Sequence, residues 1–96
     1  MSVTRVLVLS NDLSPAAFMA SFKKNVEPSL KLHKKEKILN RWTMVDAGDR
    51  WLLMTEFNNK TQMIKFVKAM ASIRATQQAA TNGQSWAYTG TVKATG

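Results

Sequence analysis

Apolar positions in this chain follow two different periods, and their alternation predicts the elements. In Val3 to Leu9, "VTRVLVL", apolar residues occupy both parities from Val6 on. That is the pattern of a strand covered on both faces. "NDLSP" supplies a helix start, with Ser14 as cap and Pro15 at the first helical position. Phe18, Phe22, Val26 and Leu30 follow at four-residue steps beside Met19, forming one apolar stripe. Pro28 removes an interior hydrogen bond and predicts a kink or break near Glu27, with a second short helix from Pro28 to Lys35.

"NRWTMVDAGDRWLLMTEF", Asn40 to Phe57, reads as a hairpin. Placing Val45 opposite Arg50 puts Ile38, Trp42 and Met44 on one face with Phe57, Leu53 and Trp51, and sets Asn40 opposite Thr55. Leu39, Arg41, Thr43 and Val45 then share the other face with Glu56, Met54, Leu52 and Arg50, Arg41 lying diagonal to Glu56. The first set is aromatic and apolar, so it is expected to face the helices. A glycine-type bulge at Gly48 would shift this pairing. Asn59 is the expected cap of one long helix, with Gln62 in the reciprocal capping-box position. Met63, Phe66, Val67, Met70, Ile73 and Gln77 keep helical spacing along it. Gly83 in "TNGQS" is the expected stop, and "WAYTGTV" closes the chain as a strand with Trp86, Tyr88 and Val92 on one side.

The order is strand, helix, strand, strand, helix, strand, so residues 1–96 are expected to form one α+β domain of ferredoxin-like βαββαβ topology. It implies a four-stranded antiparallel sheet with two helices on one face. The first strand, apolar on both faces, suits a central position. With its Met/Trp-rich hairpin and its "WAYTG" strand, the chain resembles the dimeric α/β-barrel superfamily, which includes antibiotic-biosynthesis-type monooxygenases and EthD-like proteins. The resemblance implies a homodimer formed through the sheet and a pocket between sheet and helices. It places no catalytic signature on particular residues.

Composition narrows the chemistry. The chain has no cysteine and one histidine, which excludes a disulfide scaffold, a cysteine nucleophile and a His/Cys metal cluster. No metal or cofactor is therefore expected. The opening apolar run is too short to span a bilayer, so a cytoplasmic protein without a transmembrane segment is the expectation. The net charge of +8 concentrates on two predicted helical regions. Residues 23–37 carry six lysines against two glutamates, and residues 58–80 carry Lys60, Lys65, Lys68 and Arg74 with no acid. RNA-recognition modules of this topology need stacking aromatics on the first and third strands. The first strand here has none, so a nucleic-acid partner is disfavoured against a solvated basic face.

Among single residues, His33 is the one weak catalytic candidate, as a proton carrier or ligand contact. Its alternative is an exposed histidine in "LKLHKKEK". Asp12, Asp46 and Asp49 have turn and capping reasons for their positions, and the four glycines form no phosphate-binding loop. Six methionines and three tryptophans remain. They suit an ordinary core, and equally a pocket that adapts to an apolar guest. In the second reading Phe22, Trp42, Met44, Met63 and Phe66 form the wall. His33, Asn40 and Tyr88 are its polar contacts, and Arg41 and the lysines at the mouth favour an acidic head group. The expected function is binding of a small amphipathic, fatty-acid-like or aromatic acid. The alternative is a cofactor-free monooxygenase-like enzyme, and a nucleic-acid-binding module is third.

Overall fold

A computed structural model describes residues 2–95. Its elements run β1 (Val3–Ser10), α1 (Pro15–Asn25), α2 (Glu27–Lys35), β2 (Arg41–Asp46), β3 (Trp51–Phe57), α3 (Lys60–Ala69), α4 (Ala71–Thr81) and β4 (Gln84–Thr91). The four strands form one antiparallel sheet in the order β2-β3-β1-β4, the ferredoxin-like arrangement, with β1 central as its two-faced apolar pattern predicts.

Local chemistry explains the helix boundaries. Ser14 Oγ accepts from the Ala17 amide at 3.2 Å and Asn59 Oδ1 from the Gln62 amide at 2.9 Å, so both predicted caps form. The reciprocal half of the second cap does not: Gln62 Oε1 is enclosed with no partner. The helix breaks between α1 and α2 at Val26, two residues before Pro28, whose missing N–H cannot continue the ladder. The single long helix expected after Asn59 is instead two, hinged at Met70 (φ −89°, ψ −2°). No proline or glycine marks that hinge. A straight helix over residues 60–81 would run roughly 33 Å at 1.5 Å per residue, against about 26 Å for an eight-residue strand. The bend keeps both apolar stripes over the sheet. The stop at the end of α4 is Asn82 in the left-handed region (φ 50°, ψ 40°), a conformation asparagine tolerates, rather than Gly83. Gly83 serves close approach: a Cβ there would sit 2.8 Å from the Ser10 carbonyl oxygen.

The hairpin pairs two residues out of the expected register. Arg41 faces Glu56, Trp42 faces Thr55 and Met44 faces Leu53. The Ala47 amide bonds the Arg50 carbonyl at 2.8 Å, and Gly48 takes a positive φ of 92°. The connection therefore closes on Gly48 and Asp49, tighter than a Val45–Arg50 pairing requires. A shift of two preserves the faces: Trp42, Met44 and Trp51 pack against the core, Trp51 stacking on Phe18 with centroids 4.5 Å apart. Leu39 departs from expectation. Lys37 turns through the left-handed region (φ 63°) and the Leu39 amide bonds the His33 carbonyl, so β2 starts only at Arg41 and Leu39 is buried in the core. Arg41 lies directly opposite Glu56, their charged groups 3.8 Å apart.

The core lies between the sheet and the helices, around Phe18, Phe22, Leu30, Leu53, Phe57 and Phe66. The opposite sheet face carries Val6, Val8, Leu52 and Met54 with Trp86 and Tyr88, following the pairing of Val6 with Tyr88 and Val8 with Trp86. Among the described residues no helix is long and apolar enough to cross a membrane.

Candidate functional site

A cavity of about 60 Å³ opens between the sheet and α1, α3 and α4. Its wall is apolar, built from Leu7, Phe18, Phe22, Leu53, Phe66 and Met70. Polar residues join it as well, among them the two arginines Arg5 and Arg74, Gln77, and neutral residues such as Asn11, Gln78 and Thr81. Strand parity brings Arg5 there. It alternates with Val3 and Leu7 on the helix-facing side of β1, and pairs with Thr55 and Thr89 on the neighbouring strands. Arg74 and Gln77 are three residues apart on α4 and so share one helix face.

Gln77 is fastened through its carbonyl. Oε1 accepts from Ser21 Oγ at 2.9 Å and from Asn25 Nδ2 at 3.2 Å, tying α4 to α1, while Nε2 is enclosed without a partner. Arg5 is only 7% exposed. Among the described residues its guanidinium enters neither of the two ion pairs, Lys31–Glu27 and Arg41–Glu56. Among the described residues no aspartate or glutamate lines the cavity. Burial, and secondarily the positive charge of Arg74, holds Arg5 below its ordinary pKa.

The residues singled out from sequence are dispersed relative to this cavity. Phe22 and Phe66 line it. Trp42 touches it indirectly, its ring tilted against Phe22 with centroids 5.9 Å apart. Met63 lies in the core and Met44 packs against it, both outside the lining. His33 is 9% exposed rather than free among the lysines. Its Nδ1 lies 2.7 Å from the Ser29 carbonyl, and its ring meets Phe66 edge-on at 5.1 Å. Asn40 is exposed and donates to Asn58 Oδ1 at 2.6 Å, clasping the entry of β2 to the exit of β3. Tyr88 is 64% exposed on the opposite sheet face, beside a shallow hollow with Thr4, Val6 and Gly90.

The sequence pattern does not single out Arg5, Arg74 or Gln77 as site residues. The signal was present in "VTRVLVL", where Arg5 holds the same parity as Val3, Leu7 and Leu9. It was present again in the helical stripe, which ends on Gln77. Among the described residues no group of His, Asp or Glu side chains is placed to hold a metal ion.

No protein-family model matches the chain, and no curated protein does. Solved structures do. A monooxygenase from the gene ActVA-Orf6 of Streptomyces coelicolor, in complex with Nanaomycin D, superposes with a TM-score of 0.78 at 12% identity, covering 98% of this chain and 89% of that one. SnoaB, a cofactor-independent oxygenase from Streptomyces nogalater, gives 0.74 at 15% identity over 98% and 95%. A dimeric ferredoxin-like protein from an uncultured marine organism gives 0.73 at 11% identity over 99% and 91%. At such identities the likeness is one of fold. The chain has the ferredoxin-like α+β fold of these monooxygenase-type and dimeric proteins, the fold that its element order and its resemblance to the dimeric α/β barrels imply.

Proposed function

We propose that this protein binds a small amphipathic acid in the cavity between sheet and helices, as a cytoplasmic homodimer joined through the open sheet face. The observation that carries the reading is a largely apolar cavity whose charged lining residues, among the described residues, are both arginines. Unfilled space among Phe18, Phe22 and Phe66 forgoes packing contacts that a guest would supply. Trp42 tilts against Phe22 and His33 meets Phe66 edge-on, while Met63 belongs to the same core and Met44 packs against it. The dimer is supported by Met54, Trp86 and Tyr88, large apolar and aromatic side chains left exposed on one sheet face. Native followed by denaturing mass spectrometry tests both parts. A dimer that carries, or takes up from a panel of amphipathic acids and alcohols, a small mass released on denaturation supports the reading. A dimer that takes up nothing refutes the binding function, and a monomer refutes the assembly.

A second reading, a cofactor-free monooxygenase-like enzyme, is favoured by one observation: two of the proteins sharing the fold are an oxygenase and a monooxygenase by name. Oxygen uptake with phenolic acids, lost in His33→Ala, supports it with His33 as the proton carrier. No uptake across the panel refutes it.

A further inference from the structure

We infer that Arg5, Arg74 and Gln77 form a carboxylate recess, so that the guest of the cavity is a slim monocarboxylic acid bound head inward. The inference rests on the binding function proposed above and reverses the orientation expected from the lysine-rich rim.

Arg5, Arg74 and Gln77 line the cavity beside neutral polar residues such as Asn11, Gln78 and Thr81, and among the described residues no acid does. Arg5 lies on the central strand, 93% withdrawn from solvent by its 7% exposure, with no ion-pair partner among the described residues. Charged side chains are almost never so buried unless paired. The nearby cation is Arg74, which repels rather than compensates. Gln77 adds an amide nitrogen enclosed without an acceptor, although its oxygen accepts twice. An unpaired buried cation and an orphaned buried donor are each unusual. Beside one cavity they describe a site short of one acceptor. A planar carboxylate presents two oxygens to the guanidinium fork and keeps lone pairs for a further donor. A phosphate brings up to two charges into a space with mostly apolar walls, a heavier desolvation penalty for the same donors. The walls of Leu7, Phe18, Phe22 and Phe66 then face the near end of an aryl ring or short alkyl chain, the rest of which extends through the open side of the cavity.

Paired probes that differ only in charge test this: benzoate against benzamide, and octanoate against octanamide. They are titrated calorimetrically into the wild-type protein and into Arg5→Met, while the Arg5 Nε–H resonance is followed by NMR in the wild type. The expected result is that each acid binds the wild type at least tenfold more tightly than its amide and moves the Arg5 resonance. In Arg5→Met the two affinities should come within twofold, the amide's being unchanged or tighter. Should Arg5→Met fail to fold, Arg74→Met and the wild-type resonance carry the test, with a smaller loss of preference expected. Acids and amides binding the wild type equally would overturn the recess while leaving the apolar cavity as a binding site. Binding of no probe would overturn both readings. An acid preference that survives in Arg5→Met and vanishes with added salt would place the head group on the surface lysines and overturn the recess alone.

Discussion

Replacing Arg5 by methionine should stabilise the ligand-free protein. The perturbation removes a guanidinium with no ion-pair partner among the described residues, at a residue that is 7% exposed as a whole, and keeps an unbranched apolar stem beside Leu7 and Phe22. Replacing even a buried, paired ion by an apolar side chain is often neutral or favourable by 1–4 kcal/mol, and here no attraction is lost. Access of water to the cavity reduces the penalty that methionine would relieve, so a gain of about 1–3 kcal/mol is expected. For a domain of this size that corresponds to a rise in Tm of roughly 4–8 °C per kcal/mol. Urea unfolding, followed by tryptophan fluorescence at fixed protein concentration, measures it. Arg41→Met, on the solvent-exposed Arg41–Glu56 pair, serves as a control and should stay within about 0.5 kcal/mol. The pH dependence follows from the direction of the Arg5 shift. The folded chain holds this proton less tightly than the unfolded one, so the penalty is present at every pH below the lowered value and is relieved only as pH climbs through it. Arginine stays charged across the neutral range, and the gain should be flat between about pH 5 and 8. A loss of more than about 1 kcal/mol in Arg5→Met would refute the reasoning, because it would mean that the guanidinium has a partner in the unliganded fold.

Other substitutions probe separate links. Phe22→Ala, at a side chain 1% exposed, should lower stability by about 3–5 kcal/mol and widen the cavity. Calorimetric unfolding with a loss under 1 kcal/mol would mean that the walls collapse to fill the space. Asn59→Ala removes the cap of α3 and should lower stability by about 1 kcal/mol, read from the urea midpoint; no change would mean that solvent caps the helix as well. Tyr88→Glu places a charge on the exposed sheet face and should shift the dimer to monomer in sedimentation velocity. A dimer of undiminished affinity would move the interface elsewhere.

What the residues made legible was decided by rules of short range. Parity identified the inward face of the hairpin, and Pro28 located the break between α1 and α2. Ser14 and Asn59 marked helix starts by a hydrogen bond three residues long. The misreadings involve longer range or a tighter turn. The hinge at Met70 answers to the extent of the sheet, which no residue of α3 or α4 encodes locally. The register moved because Gly48 allowed a tighter connection. Strand parity does not hold at Leu39, because that segment is still leaving α2. For the site, the aromatic and methionine stripes described the apolar volume well. They carry no sign of Arg5, whose significance depends on a cation, Arg74, that is remote in sequence. Tyr88 and Asn40 were grouped with the pocket residues by chemistry, whereas strand pairing and the Asn58 clasp set them apart from the cavity.

The two-residue connection at Gly48 and Asp49 also bears on how this hairpin can change in evolution. Because β2 is an edge strand that pairs only with β3, its placement depends on the length of that connection. Insertions or deletions of two residues slide β2 along its neighbour and leave Trp42 and Met44 beneath the helices. A change of one residue, unless a bulge absorbs it, turns the strand over and presents Thr43 and Val45 in their place. Length variation among descendants of this chain should therefore run in even steps at this hairpin, with odd steps confined to sequences that acquire a bulge or exchange the two faces of β2.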